Sequence, residues 1–178
     1  IEPKIDGVAL ALVYQSGELQ RAYTRSGRDV TRYALEVPDI PLTVSRYGKF
    51  TVRGELYAFN EHAPKSQRIA AAQLRRIKPE CHLLSFMAFQ ILNSQNDHKH
   101  NLRELSKLDF KVVPYVDANS YDEIKKCHND WLDGKFFQSN YFTFLPTDGI
   151  VVKINSRSIQ KQLGQSTRCP LWAVALKG

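Results

Sequence analysis

Residues 8–23 (VALALVYQSGELQRAY) decide the fold class, because they hold two strand-like runs separated by a short turn. Residues 8–14 are almost entirely apolar, residues 15–18 supply turn chemistry around Gly17, and residues 19–23 continue in an extended pattern. The stretch therefore predicts an antiparallel β-hairpin. Such a start favours a sheet of neighbouring antiparallel strands over a sheet of strand–helix–strand units.

The patterns outside this hairpin predict more strands than helices. Residues 49–59, 83–92, 149–154 and 171–176 have the composition of strands, although periodicity alone leaves residues 83–92 open to a helix. Helices are expected at residues 66–77, 101–108, 120–134 and 158–163. A capping box at Ser120 begins the third helix, and Gly164 ends the last. Because strands do not alternate strictly with helices, the predicted fold class is α+β with antiparallel sheets.

Length and composition are those of one globular domain. The chain has 178 residues, of which 43% are apolar and 24% charged, enough to bury a core without disulfides. No apolar run approaches the roughly 18 residues of a membrane span, so we expect a cytoplasmic protein without a membrane partner. The net charge of +7 favours a polyanionic partner through phosphate contacts. The scattered cysteines are expected to be reduced thiols: Cys81, Cys127 and Cys169.

The motif that carries chemistry is residues 2–7 (EPKIDG), in which Lys4 precedes Asp6 by two positions. A nucleophilic nitrogen needs a free lone pair, which lysine can provide and arginine cannot. With a reference pKa of ~10.4, such an amine must be depressed by nearby cations or by desolvation to attack at neutral pH. Taken alone, the motif is also compatible with two solvated charges ahead of a turn glycine.

Five further segments follow in order. They are residues 23–25 (YTR), 53–55 (RGE), 68–75 (RIAAAQLR), 147–153 (TDGIVVK) and 170–177 (PLWAVALK). With these six segments the chain resembles the adenylation domain of bacterial NAD-dependent DNA ligases over essentially its whole length. The resemblance implies an ATP-grasp-like nucleotidyltransferase fold, with antiparallel sheets flanked by helices, across residues 1–178. We expect a fragment that lacks an N-terminal subdomain for nicotinamide mononucleotide and a C-terminal OB-fold with later domains.

The resemblance also implies the roles of the catalytic residues. Lys4 would attack the α-phosphorus of NAD and form lysyl-AMP, which is then passed to the 5′-phosphate of nicked double-stranded DNA for sealing. Asp6 and Glu55 would surround the ribose and an Mg²⁺ ion, with the metal contacted through water. Lys153 and Lys177 would face the α-phosphate and stabilise its developing charge. The protein is expected to act as a monomer.

The remaining nucleotide-binding residues follow from the same resemblance. Three arginines would hold ribose, phosphate or the nicked strand: Arg25, Arg68 and Arg75, with Arg76 as the alternative to Arg75. The resemblance implies that Phe89 and Val151 enclose the adenine and that Glu2 lies near its edge. It also implies that two residues of the lysine motif bind the nucleotide: Ile5 and Gly7. The histidines lack metal-ligand spacing and receive no role: His62, His82, His98, His100 and His128.

Two alternatives to this function stay open from the sequence. The same lysine motif occurs in ATP-dependent polynucleotide ligases and capping-type nucleotidyltransferases, so the donor could differ. A catalytically inert relative that still binds nicks is the other alternative. For these 178 residues alone we expect weak or no reaction with NAD, together with retained binding of adenine nucleotides.

Overall fold

The computed structural model describes residues 1–58, 65–135 and 145–178, which form two antiparallel sheets flanked by helices. The strands are β1 (Glu2–Ile5), β2 (Val8–Gln15), β3 (Glu18–Thr24), β4 (Lys49–Ala58), β5 (Leu84–Ile91), β6 (Thr147–Lys153) and β7 (Ala173–Lys177). The helices are α1 (Thr31–Ala34), α2 (Ser66–Gln73), α3 (His98–Lys107), α4 (Tyr121–Leu132) and α5 (Arg157–Leu163). A 3₁₀ turn at Cys81–Leu83 precedes β5. The predicted fold class is confirmed.

The larger sheet has the strand order β3-β2-β4-β5 and contains the predicted hairpin. Strands β2 and β3 pair from Leu10 with Thr24 to Gln15 with Glu18. The turn between them has φ of 53° at Ser16 and 82° at Gly17, the left-handed pair that favours glycine in tight hairpins. Residues 83–92 are resolved in favour of a strand, and β4 confirms the strand predicted at 49–59 up to Ala58, because Phe59 lies outside the described residues.

The main core lies against one face of the larger sheet. Alternation along β2 turns Leu10, Leu12 and Tyr14 to this face, and each is at most 2% exposed. The Tyr14 ring stacks on Phe50 with centroids 5.3 Å apart and meets the edge of Phe110 at 5.8 Å. Its hydroxyl donates to the Pro41 carbonyl at 2.7 Å, which satisfies the one polar atom of a buried aromatic side chain. The opposite face of these strands lines a cleft.

The smaller sheet has the order β1-β6-β7 and brings the two ends of the chain together. Glu2 pairs with Val151, and Gly149 pairs with Lys177. Gly7 connects β1 to the larger sheet, where a Cβ atom would lie 2.3 Å from the Leu56 carbonyl oxygen, so glycine is required by close approach. The strand predicted at 149–154 is β6, but it is buried only at Gly149 and Ile150, and two of its later residues, Val151 and Lys153, line a cleft.

Helix α2 ends at Gln73, four residues earlier than predicted. The carbonyls that this early end leaves free are bound by arginines from the region of α1. Arg28 donates to the Leu74 carbonyl, and Arg32 donates to the Arg76 carbonyl at 3.0 Å. The sequence of residues 66–77 does not reveal these donors, because they come from another region of the chain. The predicted C-terminal end of the helix was therefore wrong.

The other helices follow the predicted positions with small shifts. Helix α3 begins at His98 instead of residue 101. Helix α4 has the expected cap, since Ser120 Oγ accepts from the Glu123 backbone N–H at 3.2 Å. Helix α5 ends at Gly164, with φ of 71°. The short helix α1 was not predicted.

The cysteines are all free, as expected for reduced thiols. Cys81 is buried, Cys127 is half-buried and Cys169 is exposed. In the described parts of the chain, no helix combines the length and apolar character needed to cross a bilayer.

Candidate active site

A cleft of about 860 Å³ lies between the two sheets. The smaller sheet contributes β1, β6 and β7, and the larger sheet contributes the face of β2, β4 and β5 that turns away from the main core. Every site residue expected from the sequence lines this cleft except Arg75. They are Glu2, Lys4, Ile5, Asp6, Gly7, Arg25, Glu55, Arg68, Phe89, Val151, Lys153 and Lys177.

Three charged side chains from three neighbouring strands meet at one end of the cleft. Lys4 Nζ of β1 donates to Asp148 Oδ1 of β6 at 2.7 Å, and Lys177 Nζ of β7 lies 2.9 Å from Asp148 Oδ2. We call this the Asp148 cluster: Lys4, Asp148 and Lys177. Burial favours the neutral form of Asp148, but the hydrogen bonds from both lysines outweigh it and hold its pKa below the usual range. The side chains of the cluster are 28%, 33% and 59% exposed, so they remain within reach of a ligand.

Two further carboxylates, Asp6 and Glu55, face the same end. Asp6 is fixed through its backbone N–H, which donates to the Pro146 carbonyl at 2.8 Å. Burial raises the pKa of Glu55 to about 7, although the positive charges of Lys4 and Arg53 oppose the shift. Glu55 therefore changes its charge within the physiological pH range.

A second cluster of charges lies elsewhere along the cleft wall and is almost completely buried. Glu2 Oε2 accepts from Lys153 Nζ at 2.5 Å, and Glu2 Oε1 lies 2.5 Å from His98 Nε2. We call this the Glu2 cluster: Glu2, His98 and Lys153. Their side chains are only 4%, 8% and 12% exposed. Burial opposes ionisation of Glu2, but the charge of Lys153 and the hydrogen bond from His98 prevail, so its pKa is lowered.

An apolar wall borders the Glu2 cluster. Lys153 Nζ lies 4.9 Å from the centroid of the Phe89 ring, and Arg53 approaches the same ring at 5.9 Å. Val113 and Val151 also line the cleft. A planar group could therefore rest on hydrophobic side chains while its polar edge meets Glu2 and Lys153.

The four arginines named from the sequence are divided between the cleft and the surface. Arg25 and Arg68 are exposed residues of the cleft lining, and Arg25 donates to the Arg168 carbonyl at 3.1 Å. Arg75 is exposed away from the cleft, and Arg76 pairs with Glu80 at 3.3 Å on the surface. The structure thus brings neither candidate of this pair to the site.

Three ionisable side chains in or next to the cleft received no role from the sequence: Asp148, His98 and Arg53. Asp148 carried a usable signal, because a carboxylate directly before Gly149 begins an otherwise apolar strand that also contains Lys153. Arg53 lies beside Glu55 in the segment RGE and is half-buried. His98 gave no signal, since its partner Glu2 is 96 positions away in the chain.

The fold of the chain is shared with solved structures of nucleic-acid ligases. A solved structure from a study of Lig E DNA ligases matches with a TM-score of 0.59 over 99% of this chain and 60% of that one, at 16% identity. An archaeal ATP-dependent RNA ligase matches with a TM-score of 0.55 over 99% of this chain and 41% of that one, at 17% identity. Identities this low establish the shared fold alone.

Sequence comparison identifies the family to which the chain belongs. The model of the NAD-dependent DNA ligase adenylation domain matches residues 1–178. DNA ligases of Halothermothrix orenii and Halalkalibacterium halodurans are each 31% identical to the chain over 205 residues, covering 99% of it. The chain belongs to the NAD-dependent DNA ligase adenylation domain family. It spans about 30% of the length of these two relatives.

Proposed function

We propose that this domain transfers AMP from NAD to Lys4, and that the AMP then passes to the 5′-phosphate of a DNA nick for sealing. The observation that carries the proposal is the Asp148 cluster. It holds a candidate nucleophile and a second lysine on one carboxylate, in a cleft that also contains Asp6 and Glu55. Family membership supports NAD as the donor.

The covalent step requires Lys4 to exchange its partner. In the ion pair with Asp148 the side chain is an ammonium group, which has no lone pair for attack. Once the ammonium group has lost a proton to solvent, its nitrogen bonds to the α-phosphorus of NAD and releases a second proton to solvent as the phosphoramidate forms. The bond from that phosphorus to the oxygen of nicotinamide mononucleotide breaks, and the mononucleotide leaves. The exposed position of the cluster permits this exchange, because Asp148 and Lys177 can be reached by solvent and ligand.

Lys177 is suited to stabilise the negative charge on the reacting phosphate. It binds the second oxygen of the carboxylate that holds Lys4, so its ammonium group stays close to the nucleophile. The hydrogen bond and charge of Asp148 raise the pKa of Lys177, which keeps it positive throughout the physiological range. A cation that already lies close to the attacked phosphorus lowers the barrier to the reaction.

The Glu2 cluster and the apolar wall suit the adenine of the donor. Phe89 and Val151 offer flat apolar contact, while Glu2 and Lys153 offer an acceptor and a donor at the edge. Adenine presents both an amino donor and a ring-nitrogen acceptor at its edge, so the two residues are complementary to it. In this arrangement Lys153 binds the adenine. This role differs from the one expected from the sequence, which placed Lys153 at the α-phosphate.

The residues of the cleft fit a magnesium ion that arrives with the nucleotide. Within residues 1–58, 65–135 and 145–178, no three His, Cys, Asp or Glu side chains converge to hold a metal by themselves. Mg²⁺ usually takes one or two carboxylates together with substrate phosphates and water. Asp6 and Glu55, which both line the cleft beside Lys4, are the candidates. When bound, the ion would neutralise phosphate charge.

Nicked duplex DNA is the proposed acceptor of the AMP. Arg25 and Arg68 lie exposed at the cleft, where their guanidinium groups can bind phosphate oxygens. The net charge of +7 adds a favourable term for a polyanion. The solved Lig E structure that shares this fold is described as a DNA ligase, which is consistent with a DNA substrate.

The donor and the nucleophile are tested together by labelling. The full-length protein that contains this domain is incubated in turn with NAD, ATP and GTP that carry the label in the nucleoside monophosphate part, and intact mass and peptide mapping locate the adduct. We expect AMP from NAD on Lys4, with no adduct on Lys4→Arg, which keeps the charge but lacks an available lone pair. Lys49→Ala, on the exposed end of β4, serves as the control and should label normally. Labelling from ATP instead would identify the alternative donor, and an adduct elsewhere would refute Lys4 as the nucleophile.

A further inference from the structure

His98 is a buried polar residue that the proposed chemistry does not use. It is 7% exposed, and its Nε2 atom lies 2.5 Å from Glu2 Oε1. Because the pKa of Glu2 is lowered, Glu2 is a carboxylate at neutral pH and can only accept hydrogen bonds. The N–H at His98 Nε2 therefore donates a hydrogen bond to Glu2 Oε1.

The first turn of α3 is fastened to the chain that leaves β6. The backbone N–H of His98 donates to the Asn155 carbonyl, and that of Lys99 donates to the Asn155 side-chain oxygen, both at 2.9 Å. In the reverse direction, the backbone N–H of Arg157 donates to Asp97 Oδ1 at 2.8 Å. Asn155 lies two residues after Lys153, so the two partners of Glu2 are held on one connected unit.

This arrangement fixes both oxygens of Glu2. Lys153 binds Oε2 and His98 binds Oε1, so the carboxylate plane is set from two sides. With Lys153 alone, the carboxylate could rotate about its last side-chain bond, whose torsion is broad and weakly restricted. A rotated carboxylate would present a different edge to the base in the cleft.

We propose that His98 is a positioning residue which orients Glu2 for recognition of the adenine base. The proposal rests on the proposed function, because it requires an adenine nucleotide in this cleft. His98 does not touch the reacting atoms, so its loss should weaken binding of the base and leave the chemical step at saturation nearly unchanged. Discrimination against guanine should also fall, since guanine presents an acceptor where adenine presents its amino group.

The test compares His98→Asn with His98→Gln, two amides that differ in reach. The amide nitrogen of Gln can extend to the position of Nε2, whereas that of Asn stops short of Glu2. Hydrogen bonds to charged groups contribute enough that we expect His98→Asn to bind AMP roughly tenfold or more weakly. His98→Gln should bind AMP within about threefold of the unchanged protein. His100→Ala, an exposed histidine of the same helix, is the matched control.

Calorimetric titration with AMP and GMP gives the affinities, and single-turnover labelling of the full-length protein with NAD gives the rate at saturation. The proposal predicts weaker AMP binding and a smaller preference for AMP over GMP in His98→Asn, with a nearly unchanged rate at saturation. Equal AMP affinity in the Asn and Gln variants would overturn it. Because the titration does not depend on covalent chemistry, failure of Lys4 to become labelled counts against the proposed function and leaves this comparison intact. Absence of AMP binding by the unchanged protein would overturn both.

Discussion

The Asp148 cluster and the Glu2 cluster are built alike and differ in burial. In each, one carboxylate binds two cationic or hydrogen-bond-donating side chains, and strands β1 and β6 supply the central contact. Glu2 is 4% exposed, whereas Asp148 is 33% exposed. A buried ion cluster cannot exchange partners without a large desolvation cost, while a half-exposed one can. The difference in burial supports the proposal that the Glu2 cluster recognises the base as a fixed element and that the Asp148 cluster exchanges partners during the reaction.

The largest expected effect is on stability at the buried cluster. Glu2→Gln should lower the free energy of unfolding by about 3–5 kcal/mol, because it leaves the ammonium group of Lys153 buried without its counter-ion. Urea denaturation measures this change. Glu80→Gln, in the exposed pair with Arg76, is the control and should change stability by less than about 1 kcal/mol. Equal effects of the two substitutions would show that the Glu2 cluster is not the rigid element inferred here.

A kinetic effect is expected at the exposed cluster. Lys177→Met should slow transfer of AMP to Lys4 by about 100- to 1,000-fold, because it removes a cation that stabilises the transition state. The folded protein should be little affected, since Lys177 is 59% exposed. Single-turnover labelling measures the rate, and Lys135→Met, an exposed lysine that pairs with Asp133, is the control. A normal rate in Lys177→Met would break the comparison, because the Asp148 cluster would then have no part in the chemistry.

The sequence predicted those parts of the molecule that depend on local patterns. The hairpin of residues 8–23 follows from two apolar runs and a turn glycine, and α4 follows from the cap at Ser120, so short-range rules were sufficient. The family resemblance predicted one site that contains Lys4, Asp6, Glu55, Lys153 and Lys177. In the structure these five residues line one cleft. The roles of these residues remain predictions until the experiments above are carried out.

The parts that the sequence did not predict depend on long-range contacts. The contact between His98 and Glu2 joins residues 96 positions apart, and the early end of α2 depends on Arg28 and Arg32 from another region of the chain. Arg75 fits the basic pattern of its segment, yet the helix ends before it and leaves it outside the cleft. Periodicity and motif spacing contain no information on such pairings, since these form only when the sheets assemble.

Glu55 lies beside the Asp148 cluster, and its charge should make the labelling rate at this cluster depend on pH. With its pKa raised to about 7, it is neutral at lower pH and anionic at higher pH. If the anion is needed at the ribose or the metal, the labelling rate should fall by about a further tenfold per pH unit below that pKa, in addition to the fall caused by protonation of the nucleophile. A measured pH profile with no transition near neutrality would contradict this role.

The same shift has an opposite consequence for stability. The pKa of Glu55 is raised above its unfolded value, so charging the buried group destabilises the fold as pH rises from the unfolded pKa through the folded one. Glu55→Gln removes this penalty, so the variant should be more stable than the unchanged protein at pH 8 and lose that advantage at acidic pH. Thermal denaturation at the two pH values measures the difference. No gain at pH 8 would mean that the carboxylate is well solvated in the folded protein.

The smallest expected effect separates the two clusters most directly. Asp148→Asn should change the free energy of unfolding by less than about 1 kcal/mol, because its lysine partners can turn to solvent when the carboxylate is removed. Urea denaturation beside Glu2→Gln gives the contrast under identical conditions. A loss as large as that of Glu2→Gln would mean that Lys4 is held in place as firmly as Lys153. The nucleophile could then not leave its ion pair at the low cost that the proposed reaction requires.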